Sequence, residues 1–221
     1  MAREFTRNMF IMLVSIMVGV FIITYFAADI INRSKIETLT TAHVVEIEDI
    51  NSKNENFTNY FLQGSVKMDS AREIREVGNY YFDLAARIWY PQEEYQKVID
   101  NCTDAMSQYL MSNLKFAESK PYFIAAKTFT ENPSYKGALG YYVAFANSGE
   151  NITLLRYETA RYLLYIAENL SLGNVGNATL LLENFSILES YYGEMLEEYN
   201  GYKDLIDLYI FFEEDRTKPE S

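Results

Sequence analysis

Cysteine is all but missing from this chain of 221 residues: Cys102 stands alone, so no intrachain disulfide can form. Histidine is equally scarce. A zinc site takes three or four ligands, and His43, the only histidine, has no second imidazole to recruit. It makes an H-x-x-E pair with Glu46 on one helix face, and we read it as a stalk residue. Cys102 has no basic neighbour pattern to activate it, so it reads as a small buried apolar residue. There is no glycine-rich phosphate loop, serine nucleophile elbow or D-x-D-x-D-G calcium loop. Acidic groups at Glu93 with Glu94, at Glu194 with Glu197 and Glu198, and at Glu213 to Asp215 read as solvated helix faces. No catalytic, cofactor or metal residue is assigned, and the chain is not read as an enzyme.

Positive charge is also short. Nineteen basic residues face 31 acidic ones, for a net charge of −12. Such a surface repels phosphate backbones, which argues against a nucleic-acid partner. Two-residue alternation never lasts more than a few positions, so strands are not expected and the fold class is all-α.

Against these absences stands one long apolar run. From Met9 to Ala28 no residue is charged, and twenty helical residues span about 30 Å, the thickness of a hydrocarbon core. The run is longer than a secretory h-region. Cutting after Ala27 or Ala28 would leave Tyr25 or Phe26 at the minus-3 position, where a small residue belongs. The stretch 9–31 therefore reads as an uncleaved transmembrane signal-anchor whose partner is the lipid bilayer. It follows a short cytoplasmic N-terminus (1–8). After it come a helical stalk (32–56), an all-helical extracytoplasmic domain (57–212) and a polar tail (213–221).

Charge flanking the run is nearly balanced, with Arg3 and Arg7 before it and Arg33 and Lys35 after it. The sequons break the tie. Asn-X-Ser/Thr occurs at Asn32, Asn56, Asn101, Asn151, Asn169, Asn177 and Asn184, all beyond the run, where chance predicts about two. Asn32 is too near the bilayer for a transferase. The other six, Asn56, Asn101, Asn151, Asn169, Asn177 and Asn184, are the glycosylation candidates, although Asn151 and Asn177 also sit where helices are expected to start and would serve as N-caps. Many sequons without disulfides suit an archaeal cell-surface protein.

Apolar spacings of three and four then mark the helices. Ile36, Leu39, His43, Ile47 and Ile50 form the stalk stripe, with a restart expected near Ser52 and Glu55, which have capping-box spacing. Phe57 to Ile88 continues to Pro91. Further helices are expected from Gln92 to Lys115, from Pro121 to Phe129, from Tyr135 to Asn147 closed by Gly149, and from Leu154 to Asn169, the last apolar nearly all round. The cleanest stripe is Leu181, Phe185, Leu188, Tyr192, Met195 and Tyr199. Asn200 and Gly201 are expected to end it before a short helix from Tyr202 to Phe212.

The 19 Tyr and 14 Phe suit a core of large amphipathic rings. Two architectures fit: an antiparallel helical bundle, or a short stack of helical hairpins. Tyr80 to Leu110 and Tyr141 to Leu170 each read as an aromatic helix, a polar turn and a second helix. This pattern resembles a tetratricopeptide hairpin in outline, without that family's small and glycine positions at a 34-residue period, and implies packing only. The functional expectation is a membrane-anchored, glycosylated surface protein whose helical ectodomain binds a protein partner or itself. An extracytoplasmic ligand-binding or sensory accessory domain is the alternative.

Overall fold

The computed structural model describes the backbone of residues 2–88 and 94–208 and, within them, the side chains of 34–35, 37–88 and 94–208. Among the described residues all regular structure is helical: α1 (Ala2–Ile88), α2 (Tyr95–Thr128), α3 (Pro133–Ser171) and α4 (Val175–Asp207). The all-α class is thus observed. The expected membrane span, 9–31, falls where side chains lie outside the described residues. Among the described residues no helix is long and apolar enough to cross a membrane. The tail 213–221 also lies outside them.

The chain divides into two compact units, 1–52 and 53–221. The described side chains of the first unit are all exposed. The second is an up-and-down four-helix bundle, which decides between the two expected architectures.

Its order follows from sequence spacing. On α1 the buried positions are 57, 61, 64, 68, 71, 75, 78, 82 and 85, and on α2 they are 98, 102, 105, 109, 112, 116, 119, 123 and 126. Both alternate steps of three and four, the repeat that keeps one seam facing a partner helix. On α2 one row carries large rings (Tyr109, Phe116, Phe123) and the other small side chains (Ala105, Ser112, Ser119, Ala126). Large rings need hollows opposite, and glycines supply them. A Cβ on Gly64 would stand 2.8 Å from the Phe123 ring, one on Gly78 2.8 Å from Tyr109, and one on Gly149 2.6 Å from Phe116. Residue numbers on α1 fall as those on α2 rise, so the two helices are antiparallel. Short connections at 129–132 and 172–174 turn the chain back twice more.

Those turns have local causes. Asn132 caps α3 by accepting from the Ser134 amide at 2.9 Å, with Pro133 in the first turn, where its missing N–H costs nothing. At the end of α3, Gly173 takes φ +73°. The Gly173 amide donates to the Leu170 carbonyl and the Asn174 amide to that of Asn169, the paired bonds of a Schellman ending.

Four expected breaks are absent. α1 runs on through Ser52 and Glu55, and α4 through Asn200 and Gly201. On α4 the buried row Tyr192, Tyr199, Ile206 continues across the glycine and holds the helix together. Pro121 lies inside α2. It is exposed, so the backbone bond it cannot donate is lost on the outer face, while Phe116, Ser119, Phe123 and Ala126 stay packed on the inner one. Gly149 is likewise interior to α3, so Tyr141 to Leu170 is a single helix and the second hairpin of the tetratricopeptide outline does not exist. The turn-like composition of Asn147-Ser148-Gly149 is the seat for Phe116.

Not every glycine has such a reason. Gly193 sits mid-helix in α4, and a Cβ added there would meet nothing within 4 Å. Gly193→Ala is expected to raise the unfolding free energy by about 0.5–1 kcal/mol, read from the urea midpoint.

Candidate functional site

A polar layer cuts the bundle core in two. On one side lies an apolar cluster containing Phe61, Phe116, Phe123, Leu139, Phe145 and Ile152, and on the other one containing Phe82, Val98, Cys102, Tyr109 and Leu163. Between them each helix contributes a polar residue: Arg75 from α1, Ser112 from α2, Arg156 from α3 and Glu189 from α4. The seam spacing puts Arg75 at a core position between Ala71 and Gly78, so it must be buried.

Arg75 is 8% exposed. Its guanidinium lies 4.4 Å from the centre of the Tyr199 ring, and Nη2 donates to Glu76 Oε1 at 2.9 Å. Nε and Nη1 are buried without a hydrogen-bond partner, as is the Tyr199 hydroxyl. Arg156 is sandwiched, 3.8 Å from the Tyr192 ring centre and 4.4 Å from that of Phe82, and Nη1 donates to Glu189 Oε1. A guanidinium suits such a place because its flat faces stack on rings while its edge keeps hydrogen bonds. Ser112 donates to the Ala71 carbonyl at 2.7 Å, and the Tyr109 hydroxyl to Asn79 Oδ1 at 2.9 Å. Burial pushes the Tyr109 hydroxyl well above its ordinary pKa, with the Arg156 charge acting against it.

Beside the layer, α1 and α4 part to form an open cleft of about 570 Å³. Arg75 and Tyr199 lie at its inner side, and Asp69, Arg72, Glu73, Glu76, Asn200 and Lys203 complete the lining.

On the α1–α2 face, Glu118 accepts from Lys67 Nζ at 2.8 Å and from Lys115 Nζ at 2.9 Å. The Lys67 bond, then the Lys115 bond, hold its carboxyl down at about 2 against a partial loss of hydration. A depressed carboxyl stabilises the fold above its ordinary value of 4.5 and stops doing so as pH falls through about 2. The gap in urea midpoint between the native chain and Glu118→Gln is therefore expected to be steady at neutral pH, to narrow below 4.5 and to close near 2. A gap unchanged by acid would show that the bonds contribute nothing.

His43 is exposed, with Nδ1 3.7 Å from a Glu46 oxygen. Among the described residues no three of His, Cys, Asp and Glu are grouped to hold a metal ion. Cys102 is fully buried, which pushes its thiol up to about 12. The six sequon asparagines all lie in helices. Asn151, Asn177 and Asn184 are exposed and Asn56, Asn101 and Asn169 half-buried, with Asn169 Nδ2 donating to the Tyr165 carbonyl at 2.8 Å. Asn151 is mid-helix and Asn177 lies inside α4, whose N-cap is Asn174, so neither caps a helix.

No family model, curated protein or solved structure matches this chain. Local sequence pattern singles out neither of the two layer arginines. For Arg75 a signal exists at longer range: counting by sevens along α1 from Phe61 and Met68 lands on it.

Proposed function

We propose that the chain is a single-pass, N-glycosylated cell-surface protein, held in the membrane by residues 9–31, whose helical ectodomain makes protein contacts without catalysis. The uncharged run, the sequons placed after it and their coexistence with a lone buried thiol support an exterior, archaeal-type envelope location. One observation carries the interaction role. Leu39, Val44, Ile47 and Ile50 are about half exposed or more on the first unit's helix, with Leu39 at 64% and Ile47 at 56%.

The partner that fits is a second copy. Counting back by sevens from Phe57 reaches Ile50 and His43, and from Phe61 it reaches Asn54, Ile47 and Thr40, so the seam repeat of the bundle persists in sequence where the side chains are exposed. Anchors in one bilayer would present two such helices in parallel and at high effective concentration. Cysteine crosslinking in native membranes tests this directly, because the only native thiol is buried. Ile47→Cys is expected to give an oxidised dimer, and Ser52→Cys, on the opposite face, none. Equal crosslinking at both positions, or at neither, overturns self-association. A chain recovered unglycosylated from a cytosolic fraction overturns the placement.

A further inference from the structure

We infer that the cleft between α1 and α4 binds a small zwitterion, with an α-amino acid as the simplest member of the class. The inference goes beyond the anchored-interaction role and uses none of its residues.

Unspent hydrogen-bonding capacity at the inner side is the starting point. Arg75 is 8% exposed and Tyr199 2%, yet Arg75 Nε and Nη1 and the Tyr199 hydroxyl have no partner. Buried donors are nearly always paired in folded proteins, and leaving them bare costs free energy for each group. Both residues line one cleft, whose volume falls in the range of small-molecule sites. Three unspent donors in one place ask for an acceptor, and a carboxylate is the acceptor best matched to a guanidinium. Those three atoms are themselves closed to water, so a ligand in the cleft reaches them by displacing the Arg75 side chain, a tenth of which is exposed.

The rim decides what else the ligand carries. Arg72, Arg75 and Lys203 are balanced in the lining by Asp69, Glu73 and Glu76. A bare anion such as phosphate would gain the cations and meet three carboxylates. Arg72 bonds Asp69 at 3.4 Å and Lys203 bonds Asp207 at 3.2 Å, each on its own helix. Glu73 makes no hydrogen bond or ion pair among the described residues. An ammonium group placed against Glu73, with its carboxylate toward Arg75, uses both unspent ends at once. A zwitterion is the class that satisfies a cleft of zero net charge without leaving either sign unmatched.

Calorimetric titration of the full-length protein in detergent micelles tests this, with each of the twenty amino acids, and with acetate, methylammonium and inorganic phosphate as one-ended probes. Saturable heat is expected from one or more amino acids and from none of the one-ended probes. Glu73→Gln, on the exposed rim, and Tyr199→Phe, which keeps the ring, are each expected to weaken binding by about ten- to a hundredfold. Circular dichroism melting shows whether either variant is still folded, and Glu73→Gln keeps the test decisive if Tyr199→Phe unfolds. Absence of heat from every amino acid, binding of phosphate or acetate as tight as that of any amino acid, or an affinity indifferent to Glu73→Gln overturns the inference.

Discussion

Truncating Phe116 to alanine is expected to lower the unfolding free energy by about 3–5 kcal/mol, the range for a buried phenylalanine whose site cannot collapse. The ring is fully buried and stands edge-on to Phe145 and to Tyr199, each at 6.3 Å. Those two rings are stacked on each other at 4.4 Å, so neither is free to move into the void. Gly149, the third wall, has no side chain to offer. The same geometry fixes the sign of a second change. Gly149→Ala gains about 1 kcal/mol of helix propensity but drives a methyl to within 2.6 Å of the ring, and the net result is a loss of about 1–3 kcal/mol. With Phe116 already cut to alanine the clash is gone, and Gly149→Ala is expected to stabilise. Urea unfolding of the four proteins gives the coupling. Simple additivity would mean that the ring does not sit on the glycine.

Removing the Arg156 side chain is expected to cost about 2–4 kcal/mol in Arg156→Ala, because three contributions vanish together. Two are the ring contacts with Tyr192 and Phe82, and the third is the pair with Glu189. The side chain is 13% exposed, so its methylenes also count as packing. Two companions separate these parts. Arg156→Met keeps most of the volume and is expected to fall within about 1 kcal/mol of the native chain, since well-packed apolar replacements of buried ions are close to neutral. Arg156→Lys keeps the charge without the flat faces and is expected to recover less than half of the loss. If methionine proved as damaging as alanine, charge rather than packing would hold the layer.

Much of the bundle is legible in the sequence, and the features that are not share a common reason. The stripe from Leu181 to Tyr199 stands out because apolar and acidic residues alternate on one helix with no help from elsewhere. Gly149, Pro121 and Gly201 read as ends because their local preferences favour ends. What keeps α3 going through Gly149 is a ring from α2, and no local window around the glycine contains it. Arg75 escapes notice for the opposite reason: an arginine reads as surface unless its place in the seam is counted. The cleft depends on α1 and α4 coming together, which spacing along either helix cannot show. Asn151 suggests a cap because it follows Gly149, and it loses that role once the glycine no longer ends a helix.

The three rings set on glycine hollows have a mechanical consequence. Tyr109 and Phe123 engage α1 at Gly78 and Gly64, two heptads apart on each helix, while Phe116 engages α3 midway between. Sliding α1 along α2 by one residue, about 1.5 Å, would carry both hollows away from their rings and bring bulkier neighbours under them. Piston travel along that pair is blocked as by teeth in a rack, and any displacement passing through the bundle must travel by rotation or by the motion of α4.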